Sequence, residues 1–292
     1  MWRATTSQRP RSPLAHLNLG NALQGAGRHA EAIVHYRQGL RLKPGSAETH
    51  VNLGNALVAL DRREEALSHY REALRLKPDL ADASYNLGHT FHALGRTTEA
   101  IAHYRQALRL GPDNADAHCN LGFVLEAVGR TREAMTHFQA ALRIEPGRTA
   151  ILNKLGNALQ ASGRLGEAIT RDREALRRKP AYAEAHNNLG NALLAVGRPQ
   201  EAIPHYREAL RLNPEQAQVH YNLGRALLQS GQPREAIGHY RQALQVKPDM
   251  ADAHYNLGNA LVTLGRSGEA IEHYLAAVRI NPDHVGAHNN LG

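Results

Sequence analysis

The chain has 292 residues, a formal net charge of +8 at pH 7, 42% hydrophobic residues and a single cysteine, Cys119. One cysteine excludes an internal disulfide and leaves the compartment open. No stretch approaches the roughly 18 apolar residues needed to span a bilayer, and the start, MWRATTSQRPRSP, lacks the apolar core of a secretion signal. A soluble, cytoplasmic protein without membrane contact is expected.

Residues 1–12, with Arg3, Arg9 and Arg11, read as a disordered basic arm. Beyond them Pro44, Pro78, Pro112, Pro146, Pro180, Pro214, Pro248 and Pro282 recur at one interval of 34 residues, the mark of a single unit copied head to tail. With Ala47 as position 1, eight units follow: 13–46, 47–80, 81–114, 115–148, 149–182, 183–216, 217–250 and 251–284. Glycine stands at position 8 throughout, from Gly20 to Gly292, and alanine at position 20, from Ala32 to Ala270. Apolar residues at positions 7, 11 and 14, then at 20, 21, 24, 27 and 28, follow helical spacing, and Gly95, Gly129 and Gly163 at position 15 split the two stretches. Each unit is therefore predicted to be a helical hairpin.

Local chemistry punctuates these hairpins. Pro199 and Pro233 stand at a helix start, where a missing N–H costs nothing, and the position-32 proline closes each second helix. Pro204, inside a second helix, predicts a slight kink. Unit five departs most: Lys154, Asp172, Arg171 and Arg178 replace an asparagine, an aromatic, a histidine and an apolar residue. A buried unpaired carboxylate is costly, so Asp172 is expected to be paired or exposed, and the unit is a hinge, a specificity site or drift. Residues 285–292 start a ninth unit without a second helix. The expectation is a fragment of a longer protein, or an end covered by a partner or by end-to-end self-association.

The pattern L-G-x-x-L, then A-x-x-x-Y, then P resembles the tetratricopeptide repeat family over residues 13–292. The resemblance implies an all-α solenoid of antiparallel helix pairs forming a right-handed superhelix, in which positions 2, 5, 6, 9, 12 and 13 line an inner face. Small residues at 8, 20 and 27 would admit the position-24 aromatic (Tyr36, Tyr70, Tyr104, Phe138, Tyr206, Tyr240, Tyr274). The chain departs from the family at position 4, mostly histidine instead of an aromatic, and at position 11, leucine or phenylalanine instead of tyrosine.

On that inner face, position 6 is Asn18, Asn52, Asn86, Asn120, Asn188, Asn222 and Asn256, and position 9 adds Asn55 and Asn191 among others. An amide side chain offers two donors and an acceptor, so such a ladder can pair with the main chain of an extended peptide. A net gain of ~0.5–1.5 kcal/mol per hydrogen bond does not exceed the ~1–2 kcal/mol lost in ordering each peptide residue. Anchors are needed, and Tyr85, Tyr221 and Tyr255 at position 5 are the candidates. The ladder is similar to that in the repeat half of protein O-GlcNAc transferases, as in A-D-A-H-Y-N-L-G-N-A-L at 251–261. By contrast, the lysines with which related repeats grip acidic chaperone tails are missing. Glu48, Asp82, Asp116, Glu184 and Asp252 at position 2 favour neutral or basic segments instead.

Arginines at positions 16, 25 and 29 form a stripe on the opposite face, interleaved by glutamate at position 19 from Glu31 to Glu269, which reads as a solvated surface and not as a nucleic-acid site. Fourteen of the 18 histidines fall in two rows, at positions 4 and 23. Successive members of one row lie on the order of 10 Å apart, too far to share an ion held at about 2 Å, so both rows read as packing residues. No H-E-x-x-H, paired C-x-x-C, nucleophile elbow or phosphate loop occurs. The expectation is a non-enzymatic scaffold for protein partners, without cofactor or metal. The alternative is the substrate-recruiting region of a larger O-GlcNAc-transferase-like enzyme.

Overall fold

Every boundary in the fold traces to the repeating punctuation. The computed structural model describes residues 12–292 and contains seventeen helices and, among those residues, no strand. Ser12 caps the first of them, its hydroxyl accepting the Ala15 N–H at 3.3 Å. The rest of the expected basic arm lies outside the described residues. The chain separates into two compact units, Met1–Pro146 and Gly147–Gly292.

The first unit holds four hairpins: α1 (Pro13–Gly25) with α2 (His29–Leu42), α3 (Ala47–Ala59) with α4 (Arg63–Leu76), α5 (Ala81–Ala93) with α6 (Thr97–Leu110), and α7 (Ala115–Ala127) with α8 (Thr131–Ile144). The second holds α9 (Thr149–Ala161) with α10 (Leu165–Arg178), α11 (Ala183–Ala195) with α12 (Pro199–Leu212), α13 (Ala217–Gln229) with α14 (Pro233–Val246), α15 (Ala251–Thr263) with α16 (Ser267–Ile280), and then α17 (Val285–Leu291). Within each unit a first helix packs on its own second helix, and that helix packs on the first helix of the next repeat. The architecture is a helical repeat solenoid.

The hairpin turn explains the position-15 glycine. Gly27 takes φ 73°, which lets its N–H reach the Gln24 carbonyl at 3.0 Å and the Arg28 N–H reach the Leu23 carbonyl at 2.8 Å, closing α1. The same left-handed turn recurs down the chain, and Asp61, at φ 60°, is the one described residue other than glycine that adopts it. Pro199 and Pro233 open α12 and α14, while α12 runs unbroken through Pro204.

Close packing follows from the position-8 glycine. A Cβ built on Gly54 would lie 2.5 Å from Cε1 of Tyr70, and one on Gly122 would lie 2.5 Å from Cε1 of Phe138. The ring therefore occupies the space a side chain would need. Tyr70 is buried, and Ala66, Ala73, Leu53 and Leu57 of the same repeat have no exposed surface, each large apolar side chain contributing roughly 1.5–3 kcal/mol.

On the outer face each position-19 glutamate sits in the first turn of a second helix, where the dipole favours an acid. Glu65 accepts from Arg62 Nε at 2.7 Å and from Arg37 of the preceding repeat at 3.3 Å, and Glu133 accepts from Arg130 and Arg105 in the same way. The arginine stripe is thus laced by carboxylates from its own and adjacent repeats.

Candidate functional site

Several of the position-6 and position-9 amides are hydrogen-bonded to one another across successive repeats. In the first unit Asn52 donates to Asn21 Oδ1 and Asn86 donates to Asn55 Oδ1, both at 2.9 Å. The same two oxygens accept Tyr36 OH and Tyr70 OH at 2.9 and 2.7 Å. In the second unit Asn222 donates to Asn191 Oδ1 at 2.9 Å, and Tyr206 OH reaches that oxygen at 2.8 Å. A position-9 carbonyl accepts two bonds, from the core tyrosine of its own repeat and the position-6 amide of the next. Both lone pairs are used.

What remains free is consequently specific. Asn52 and Asn86 each keep one N–H and the carbonyl oxygen, and the position-9 amides keep their N–H groups. Asn18, Asn52, Asn86, Asn120, Asn188 and Asn256 are half-buried, as are Asn55 and Asn191, whereas Asn222 is buried. Asn188 donates to Asn153 Oδ1 at 2.7 Å instead of to a position-9 residue.

The three candidate anchors are half-buried and already in contact with the core. Tyr85, Tyr221 and Tyr255 pack on Tyr104, Tyr240 and Tyr274 with centroids 5.9–6.1 Å apart. Asn120 and Asn256 donate to the hydroxyls of Tyr85 and Tyr221 at 3.0 and 3.1 Å. These two tyrosines therefore replace the position-9 oxygen as acceptors for the following repeat. Burial raises the pKa of Tyr221, and the nearby Arg225 charge pulls against it. In these repeats position 9 is His89 and Arg225, and the hydroxyls of Tyr104 and Tyr240 are left without a partner.

The two histidine rows do more than pack, a feature that sequence spacing alone did not reveal. His16 and His35, His50 and His69, His118 and His137, His186 and His205, His220 and His239, and His254 and His273 face each other with Nδ1 atoms 2.9–3.1 Å apart. His50 Nε2 lies 3.2 Å from the Pro44 carbonyl and His118 Nε2 lies 3.1 Å from that of Pro112. A carbonyl can only accept, so Nε2 carries the proton and the position-4 Nδ1 accepts from its partner's Nδ1–H. Burial and then the neighbouring imidazole lower the pKa of His69, and they hold His137 down at about 4. Among the described residues no group of three or more metal-ligating side chains converges.

Unit five corrects one expectation. Asp172 is neither exposed nor ion-paired: it has no accessible surface, Gln160 Nε2 lies 3.4 Å from Oδ2, and Oδ1 has no partner. Burial pushes its pKa up to about 8, so the carboxyl is largely protonated at neutral pH. Neutralisation is the third way to bury an acid.

The comparisons agree with this geometry. Residues 3–220 match the family model described as the C-terminal domain of cilia and flagella-associated protein 70, and residues 221–285 match a tetratricopeptide repeat model. The chain belongs to the tetratricopeptide repeat family. No curated protein matches its sequence. Among solved structures it is similar to PilF of Pseudomonas aeruginosa, with TM-score 0.61 and 25% identity over 72% of this chain and 95% of that one. It is also similar to YrrB, described as a TPR protein with an unusual peptide-binding site, with TM-score 0.57 and 24% identity over 64% of this chain and 96% of YrrB. The anaphase-promoting-complex assembly Cut9–Hcn1 aligns with 97% of this chain and 55% of its own, with TM-score 0.59 and 18% identity. No helix among the described residues is long and apolar enough to cross a membrane. At this level the chain is a tetratricopeptide repeat solenoid.

Proposed function

We infer that the array holds extended polypeptide segments of partner proteins along its inner face, as a scaffold and not as a catalyst. The observation that supports this most directly is the half-occupied ladder. One bond per amide braces adjacent repeats, while the second N–H and the carbonyl of Asn52 and Asn86 stay available. A donor and an acceptor on one planar group match the N–H and C=O of an extended main chain without reading side chains. The exposed acids Glu48, Asp82, Asp116, Glu184 and Asp252 favour neutral or basic segments. The rings of Tyr85, Tyr221 and Tyr255 are already fixed against the core, so they offer contact area at little entropic cost.

Peptides selected from a random twelve-residue library on the full chain provide the test. Changing Asn86, Asn120, Asn188 and Asn222 together to alanine is expected to weaken the selected peptides at least tenfold while helical circular dichroism persists. Unchanged affinity would make the ladder an internal brace only. A second reading, the recruiting region of an O-GlcNAc-transferase-like enzyme, is supported by the repeat wording at 251–261. A nucleotide-sugar-binding domain in a longer gene product would favour it.

A further inference from the structure

Repeat seven interrupts two rows of the inner face at once. At position 9, where Asn21, Asn55, Asn157, Asn191 and Asn259 stand, it carries Arg225, and at position 2, where five repeats carry an acid, it carries Gln218. Both changes raise the local charge. Arg225 is exposed on α13, and its guanidinium carbon lies 5.7 Å from the Tyr221 ring centroid. Its charge acts on Tyr206, Tyr221 and Tyr240. Unlike most outer-face arginines, it forms no ion pair with any described residue.

A cleft of about 310 Å³ opens beside it, lined by Asn191, Leu194, Tyr206, Gln218, Asn222 and Arg225. Its acceptors are largely spent. Asn191 Oδ1 holds Tyr206 OH and Asn222 Nδ2, and Asn222 Oδ1 accepts Gln218 Nε2 at 3.2 Å. The unused groups are mostly donors: the Asn191 N–H pair, the second N–H groups of Asn222 and Gln218 and the guanidinium, against the single amide acceptor Gln218 Oε1. Asp252, whose charge also reaches Tyr221, is engaged by His284 Nε2 at 3.3 Å. A cleft rich in spare donors around one unneutralised cation, with Leu194 as an apolar wall, is complementary to a carboxylate on a short aliphatic stem.

We propose that Arg225 receives a side-chain carboxylate of the bound segment, so that repeat seven selects one acidic residue within an otherwise neutral or basic partner. The assignment rests on the groove reading above and adds its charge register. It also makes Arg225 the position where affinity depends on salt.

The test uses the full chain, peptides selected from the random library, and Arg225→Asn, which installs the residue that five other repeats already carry. Wild-type selections are expected to share one acidic position, and replacing that residue by glutamine should weaken binding roughly tenfold or more, as a charge-assisted hydrogen bond implies. On the Arg225→Asn protein the glutamate and glutamine forms should bind equally. Peptides that bind with no acidic preference would overturn the anchor while leaving the groove intact, whereas failure of all peptides would remove the groove and the anchor together. Stronger binding of a phosphoserine form than of the glutamate form, lost in Arg225→Asn, would reassign the cleft to phosphorylated partners and overturn the carboxylate assignment.

Discussion

Repeats four and five share one hairpin and differ in what fills it. In repeat four, Phe138 lies on Gly122 and the His118–His137 pair bridges α7 and α8. In repeat five, Asp172 lies on Gly156, where a Cβ would collide with its Oδ1, and Leu152 and Arg171 stand where the imidazoles would be. The glycine seat is retained while its occupant changes from a ring to a carboxyl. The difference shows that helix pairing in this array survives loss of the aromatic but acquires a titrating group at its centre. The two repeats should then answer pH in opposite directions.

The largest expected effect comes from restoring the ring. Asp172 has a pKa raised from the ordinary carboxylate value to about 8, first by burial, with the Gln160 hydrogen bond pulling the other way. Its contribution to stability is whole below pH ~4 and is lost as pH rises through about 8. At about 1.4 kcal/mol per pKa unit, the loss by pH 9 is on the order of several kcal/mol. Asp172→Tyr places a ring on Gly156 and a hydroxyl toward Asn157, as Tyr70 does toward Asn55 at 2.7 Å. Thermal unfolding followed from pH 5 to pH 9 should show the parent losing stability progressively up to about pH 8 and levelling off above it, and the variant holding it. Parallel curves for the two proteins would refute a buried protonated acid.

Repeat four sharpens the contrast from the acid side. The folded His137 pKa, about 4, is below the ordinary histidine value because of burial and then His118. The pair's contribution is therefore present above pH ~6.5 and is lost as pH falls toward 4. The seam is half-exposed, so water screening reduces the effect to about 1–2 kcal/mol. His137→Phe should flatten the acid limb of the stability profile between pH 6.5 and 4 without moving the alkaline limb. An acid limb unchanged by the substitution would show that the pair is not the source. Repeat three already breaks the motif, because Ser84 is too short for His103 and both Ser84 Oγ and His103 Nδ1 lack partners.

Much of this was legible in the sequence because the repeat writes each constraint seven or eight times. The position-8 glycine, the position-24 aromatic and the position-15 glycine each answer a local steric demand, and local demands leave a residue-type signature. The relations that were missed join residues far apart in the chain. Asn52 and Asn21 are 31 residues apart and His118 and His137 are 19 apart. Periodicity gives the rows but not which row faces which, since that depends on how the antiparallel helices are rotated about their axes. Asp172 was misjudged for a different reason: its residue type carries a charge in solution, and its protonation depends on burial that only packing defines.

The smallest expected effect tests whether the repeated turn is a conformational requirement or a habit of the sequence. Gly27, Gly95 and five further position-15 glycines turn through φ between 72° and 76°, and Asp61 does the same at φ 60° in repeat two. An L-residue with a Cβ is strained there, although aspartate tolerates the region better than most. Asp61 also approaches Arg63, and both side chains are substantially exposed, so that ion pair offsets little of the strain. Asp61→Gly removes the strain while giving the unfolded chain more freedom, two terms of opposite sign. With strain the larger, the substitution should stabilise repeat two by about 0.5–1 kcal/mol, read as slower amide exchange at Asp61 and Arg62, whose N–H groups bond to the Val58 and Leu57 carbonyls at 3.0 and 2.9 Å. Faster exchange at those two amides would mean that the aspartate stiffens the turn more than it strains it.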